Sequence, residues 1–153
     1  MDYEFLIKDL KTNATQKAIG TDKGLAKLGD GIVNFSYSMA KSIYLTKNSP
    51  NEKISRTGVK VSKKILAEAL KNANMKSFSK SRADAHDLAD TAEALVAYVW
   101  LNNAMSLEDI IDFLFNNLSG NIIIRSEEIR NATDTFTKLL CRIKELLLQT
   151  LKK

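Results

Sequence analysis

The chain has 153 residues, 44% of them hydrophobic, which favours one domain with a core of its own. Lys plus Arg number 23 against 18 Asp plus Glu, giving +5 and a pI near 9.3; that excess suits a polyanionic partner such as nucleic acid, and equally suits many ordinary soluble proteins. One cysteine excludes a disulfide framework or a cysteine-based zinc site, and no apolar run reaches the length of a membrane span.

Residues 2 to 18 carry Phe5, Leu6, Leu10 and Ala14 at helical spacing. The start, MDYEFLIKDLK, is acidic and apolar by turns and unlike a signal peptide, so the expected setting is the cytoplasm. Residues 22 to 45 predict a second helix, with Asp22 as its cap. Leu25, Leu28, Ile32 and Phe35 argue for its buried face. Gly29 and Gly31 flank Asp30 inside that pattern, each at a cost of roughly 1 kcal/mol relative to alanine. The polar run TKNSPNEK, residues 46 to 53, holds the only proline and is a loop. An Ala/Leu-rich helix follows over residues 60 to 74, with Ser62 as cap. Residues 84 to 103 form another, strongly apolar toward its end. Ser106 and Asp109 open a helix that runs to about 118 and stops at Asn117 to Gly120. The run IIIR at 122 to 125 is too short to carry a sheet. In the last helix, residues 126 to 151, Ile129, Phe136 and Ile143 form one row, and Ala132, Leu139 and Leu146 a second. Cys141, among Leu139, Leu140 and Ile143, reads as a buried, inert thiol. The fold class is all-α: one domain over residues 1 to 153, with residues 121 to 153 as a C-terminal helix.

Asp90 and Glu93 are three apart and share a helical face; His86 is one turn earlier, and Leu88, Ala92, Leu95 and Val99 point elsewhere. At about 6 Å and an effective dielectric near 20, two such charges repel by about 3 kcal/mol. Water screens them if they are exposed; a cation must offset them if they are partly buried. Acid pairs at this spacing are common on solvated faces, the glycines around Asp30 can simply permit a close helix crossing, and a lone histidine is ordinarily an exposed or capping one. Convergence of Asp30, Asp90 and Glu93 would instead give hard oxygen ligands of the kind that suit Mg²⁺.

LAKLGDGIV followed some sixty residues later by LADTAEALVAYVWL resembles the ribonuclease III catalytic domain, with its L-G-D helix and its later D-x-x-E-A-L helix. The intervening TGVKVSKKILAEALKNANM is similar to the family's segment between them. Order, spacing and helical phase agree over at least residues 20 to 105. The resemblance implies an all-α homodimer with a groove for double-stranded RNA. It also implies an endoribonuclease whose carboxylates and Mg²⁺, with Mn²⁺ as a substitute, activate water against a phosphodiester. Carried over, the catalytic and metal-binding residues are Asp30, Asp90 and Glu93. The signature's usual glutamates, four and seven residues before its aspartate, are here Ala26 and Lys23, so one of four metal-site acids is missing. The small Mini-III relatives also carry an alanine there and lack a double-stranded-RNA-binding domain; nothing after residue 120 has that domain's mixed α/β pattern.

Candidate RNA contacts are Lys23, Lys27, Lys53, Arg56, Lys60, Lys63, Lys64, Lys76, Lys80 and Arg82, densest from 53 to 82. Read structurally, the same cluster is a solubilising helix face. Duplex RNA is recognised mainly by shape, phosphates and 2′-hydroxyls, so slight sequence preference is expected. The loss at Ala26 leaves a second possibility open, a catalytically inactive RNA-binding or assembly subunit. Survival of the other three acids together favours the enzyme.

Overall fold

The helix with residues Ala85–Leu101 is buried on nearly every side, from Leu88, Ala92, Leu95 and Val99 round to Ala89, Val96 and Tyr98. A helix apolar all round belongs in the middle of a bundle. The computed structural model describes residues 2–12, 15–51 and 53–149. Among them are α1 (Lys8–Thr12), α2 (Gln16–Gly20), α3 (Lys23–Lys47), α4 (Lys63–Asn72), α5 (Ala85–Leu101), α6 (Leu107–Asn117) and α7 (Arg125–Leu148), with 3-10 turns at Glu4–Ile7 and Lys76–Phe78 and no strand element. Helices α3 and α4 lie along α5, α2 and α7 also touch it, and α6 bridges α3 and α7. None of the described helices is long and apolar enough to cross a membrane.

The helix starts follow the local hydrogen-bonding rules. Asp22 accepts from Leu25 N at 2.8 Å and Ser62 from Ile65 N at 3.2 Å. Ser106 and Asp109 form a reciprocal capping box, and Asp84 with Asp87 forms another at the head of α5.

Three expectations need correction. The predicted single helix over residues 2 to 18 is broken into a 3-10 turn, α1 and α2. Phe5 and Leu6 are exposed and Ile7 is the buried anchor; Ala14 lies outside the described residues. On α3 the buried row is Leu25, Ala26, Gly29, Val33, Tyr37 and Ala40, while Leu28 and Phe35 face outward with Met39. Close packing against α5 selects the row with small residues, not the row with the largest apolar ones. On α7, Ala132, Phe136, Leu139 and Ile143 are buried as expected, but Ile129 is exposed, Leu146 is half-buried and Cys141 is exposed. The helix is rotated so that Glu128 enters the interior in place of Ile129.

Glu128 is then satisfied by three donors. Tyr37 Oη lies at 2.9 Å, Lys41 Nζ at 2.7 Å and Arg125 Nη1 at 2.9 Å, so α7 is pinned to α3 by one carboxylate. Burial pushes its pKa up, but the bonds from Lys41, Arg125 and Tyr37 outweigh that and hold it below the usual range.

Between α3 and α4 the chain runs extended along α3. Backbone N–H groups of Ser55, Thr57, Val59 and Val61 donate to the side chains of Thr46, Ser42, Ser38 and Asn34 at 2.9, 3.0, 2.8 and 2.7 Å. Every second extended residue advances roughly 6.6 Å, and every fourth helical residue about 6 Å, so the two repeats run in step. A polar row on one helix thus does the work of a neighbouring strand, and it delivers the start of α4 to the side of Asp30.

Candidate active site

The site begins with a glycine. A Cβ on Gly29 would lie 1.8 Å from the carbonyl oxygen of Glu93. Only glycine lets α3 cross α5 this closely, and the crossing brings Asp30 beside the Glu93 side chain. Gly31 has no such role, because a Cβ there would meet nothing within 4 Å. The expectation that both glycines permit close packing therefore holds for Gly29 alone.

Asp30, Asp90 and Glu93 are brought to one locality as a chain of polar contacts. Asp30 and Glu93 hydrogen-bond to each other through their carboxyl groups. Lys63, the first residue of α4, reaches Asp90 Oδ1 at 3.0 Å and Glu93 Oε1 at 2.8 Å. Asn34 Nδ2 donates to Asp30 Oδ1 at 3.2 Å, while its own Oδ1 is held by Val61 N. Lys23 Nζ stands 3.6 Å from Asp90 Oδ2, and His86 Nδ1 3.9 Å from Asp90 Oδ1 with most of its ring in solvent.

Charge is distributed unevenly over this chain. Glu93 is only 2% exposed. Its burial, reinforced by the bond to Asp30, pushes its carboxyl up to about 7. The same bond is the main reason the Asp30 pKa is lowered, with Lys63 and Asn34 adding to it. Burial works against the Lys63 ammonium, but the bonds to Glu93 and Asp90 outweigh it and raise its pKa. The Asp30 and Glu93 carboxyls thus shift each other in opposite directions, and Glu93 and Asp90 share a single ammonium.

The donor chemistry fits a hard divalent cation, since two of the three carboxylates already coordinate one ammonium between them. The present arrangement is not an open cage. Among the described residues no three acidic, imidazole or thiol groups are placed to hold a metal ion together. The reason is local: Lys63 Nζ fills the gap between Asp90 and Glu93, and Glu93 turns its remaining hydrogen bond toward Asp30. Beside Asp90, Ala26 lines a small cavity of about 230 Å³ together with Lys23, Ser79 and Lys80. The Ser79 hydroxyl is buried and has no hydrogen-bond partner among the described residues.

The basic side chains separate into distinct places. Lys63 belongs to the acid cluster. Lys60 is close enough to act on the charge of Asp30. It shares a groove of about 1080 Å³ with Arg56 and Asp30, lined also by Phe35 and Met39. Lys80 is paired with Asp87 at 3.3 Å, Lys53 lines a different hollow beside Tyr44 and Ile123, and Lys27, Lys64, Lys76 and Arg82 are exposed.

Sequence reasoning missed Asn34 as a partner of Asp30, although its spacing of four residues on one helix was a usable signal. It also missed the special place of Lys63. A cation in the first turn of a helix opposes the macrodipole, and that conflict was legible without coordinates.

A search of curated protein sequences finds no match. The ribonuclease III family model matches residues 23–149, which takes in α3 to α7 and all three acids. That span is most of the chain, and the small size is compatible with a Mini-III-type architecture. The chain belongs to the ribonuclease III family.

Proposed function

We propose that this chain is a metal-dependent endoribonuclease that hydrolyses phosphodiesters of double-stranded or structured RNA in the cytoplasm, with Asp30, Asp90 and Glu93 as its catalytic acids. The observation that carries the reading is the pairing of Asp90 and Glu93 about one ammonium, with Asp30, from a helix sixty residues away in the chain, beside Glu93. A scaffold has no physical need to bury such an excess of like charge.

Asp30, Asp90 and Glu93 would hold Mg²⁺, or Mn²⁺ in its place. When bound, the ion supplies positive charge to the phosphodiester and to the water that attacks it. Asn34 fixes the Asp30 carboxylate from the α3 side. Glu93 would hold the ion as an ionised carboxylate. Arg56 and Lys60 lie along the groove that leads from Asp30 and would neutralise RNA phosphates there. With no glutamate at Ala26, the protein donates one ligand fewer, and metal affinity is expected to be weaker than in four-acid relatives.

A homodimer is part of the proposal. Leu28, Phe35 and Met39 form an exposed apolar row on α3, 47%, 51% and 38% accessible. The row borders the groove at Asp30, so a second copy seated there would extend the RNA-binding surface across two sites. Sedimentation of a monomer at micromolar concentration would remove that part of the reading.

The second reading, an inactive RNA-binding or assembly subunit, is favoured by Ala26 and by the ammonium lying where a metal would sit. The test is incubation of the purified protein with long duplex RNA, with and without Mg²⁺. Fragmentation only in the presence of the ion, with slight sequence preference, is the expected result. Inertness toward several duplexes with both Mg²⁺ and Mn²⁺ refutes the enzyme.

A further inference from the structure

We propose, on the footing of the metal-dependent reading above, that Lys63 is a tethered cation that occupies the ion's place in the metal-free protein and must swing out for a divalent ion to bind. Lys63 is therefore a positioning residue that sets metal affinity by competition.

The geometry is that of a bound cation. Lys63 Nζ bridges Asp90 and Glu93, which lie one helical turn apart on α5, at 3.0 and 2.8 Å. Asp30 stands beside Glu93, and three ionised carboxylates in one locality would repel one another. The ammonium, close to both Asp90 and Glu93, relieves that repulsion without a metal.

Placement in the chain supports the same conclusion. The first turn of α4 begins with Lys63 and Lys64 and contains no acid. A lysine there is opposed by the helix dipole. Nothing local to α4 favours Lys63 at that position, so the compensating attraction is the pair of carboxylates on α5. Ser62 caps the helix independently, through Ile65 N, so α4 starts at this point whatever residue 63 is.

The exchange is also sterically open. The Lys63 side chain is 39% exposed on a flexible four-carbon stem, so it can leave without moving either helix. Once displaced it stays tethered at the rim of the site, beside Lys23 and Lys60, where an RNA phosphate is its natural partner. Metal binding and RNA binding then help each other: the ion frees the ammonium, and the phosphate retains it outside.

The experiment is a Mn²⁺ titration of the full chain without RNA, followed by the electron paramagnetic resonance signal of free Mn²⁺, on wild type, Lys63→Met and Lys63→Gln. Thermal unfolding in chelator is measured alongside. Both variants should bind Mn²⁺ about tenfold more tightly than wild type, unfold at lower temperature in chelator, and regain that loss when Mn²⁺ is added. Adding short duplex RNA should tighten Mn²⁺ binding in wild type and not in the variants. Equal or weaker Mn²⁺ binding by the two folded variants overturns the proposal and leaves the metal reading standing. Absence of Mn²⁺ binding in wild type and both variants at millimolar concentrations overturns the metal reading itself.

Discussion

Glu93 on α5 and Glu128 on α7 are both almost wholly buried, at 2% and 4% exposure, yet their surroundings treat charge in opposite ways. Around Glu128 one carboxylate faces a phenol, an ammonium and a guanidinium, and its pKa is lowered. Around Glu93 two further carboxyls crowd in, one ammonium is shared, and its pKa rises to about 7. A buried acid with a surplus of donors is a staple that needs nothing more. A buried acid with a deficit of positive charge is, on the proposed reading, the place that would take a cation from outside. Net charge within each cluster, not burial, separates architecture from candidate chemistry.

The largest effects should fall on opposite properties in the two clusters. Asp30→Asn, or Asp90→Asn, should reduce Mg²⁺-dependent cleavage of duplex RNA by more than about a thousandfold, roughly 4 kcal/mol of transition-state stabilisation. Circular dichroism and unfolding temperature should be nearly unchanged. Activity that survives in either variant would place the chemistry elsewhere. Glu128→Gln should do the reverse. Loss of the buried charge opposite Lys41 should destabilise the fold by about 3 kcal/mol, read by urea unfolding, with turnover per folded molecule preserved.

Acid–base titration sharpens the contrast. The raised pKa of Glu93 means the folded, metal-free protein holds a proton that the unfolded chain has lost. Its contribution to stability is complete below the ordinary value of 4.5 and disappears as pH climbs to about 7. The lowered pKa of Glu128 contributes stability above that ordinary range, which is lost as pH falls through the folded value. Thermal unfolding in chelator should therefore lose its decline between those two pH values in Glu93→Gln, and lose part of its acid-side decline in Glu128→Gln. Identical profiles for the two variants would contradict the opposed shifts. The smallest effect concerns the glycines beneath the cluster. Gly31→Ala should stabilise the monomer by up to about 1 kcal/mol, because its Cβ enters open space. A weakened dimer in that variant would place Gly31 in the contact between copies.

What could be read from the sequence was local. The caps at Asp22, Ser62 and Ser106 need only a side chain and an amide three residues on, and all three form. The shared face of Asp90 and Glu93 follows from helical spacing alone. The approach of Asp30 to Glu93 depends on Gly29 meeting the Glu93 backbone, and a glycine does not announce its partner. The phase of α3 was misjudged because Leu28 and Phe35 outrank Ala26, Gly29 and Ala40 in hydrophobicity, whereas a close crossing needs the small residues inside. Glu128 escaped notice because Tyr37 and Lys41 lie on a different helix about ninety residues away. The Lys63 anomaly was visible at the start of α4, but its resolution lies on α5.

The most direct measurement is anomalous diffraction from a crystal of the wild-type protein grown with Mn²⁺. The account predicts one strong peak within about 2.2 Å of carboxylate oxygens from Asp30, Asp90 and Glu93, with Lys63 displaced toward solvent. Lys63 still bridging Asp90 and Glu93 at saturating Mn²⁺, with no peak among the three acids, would contradict it.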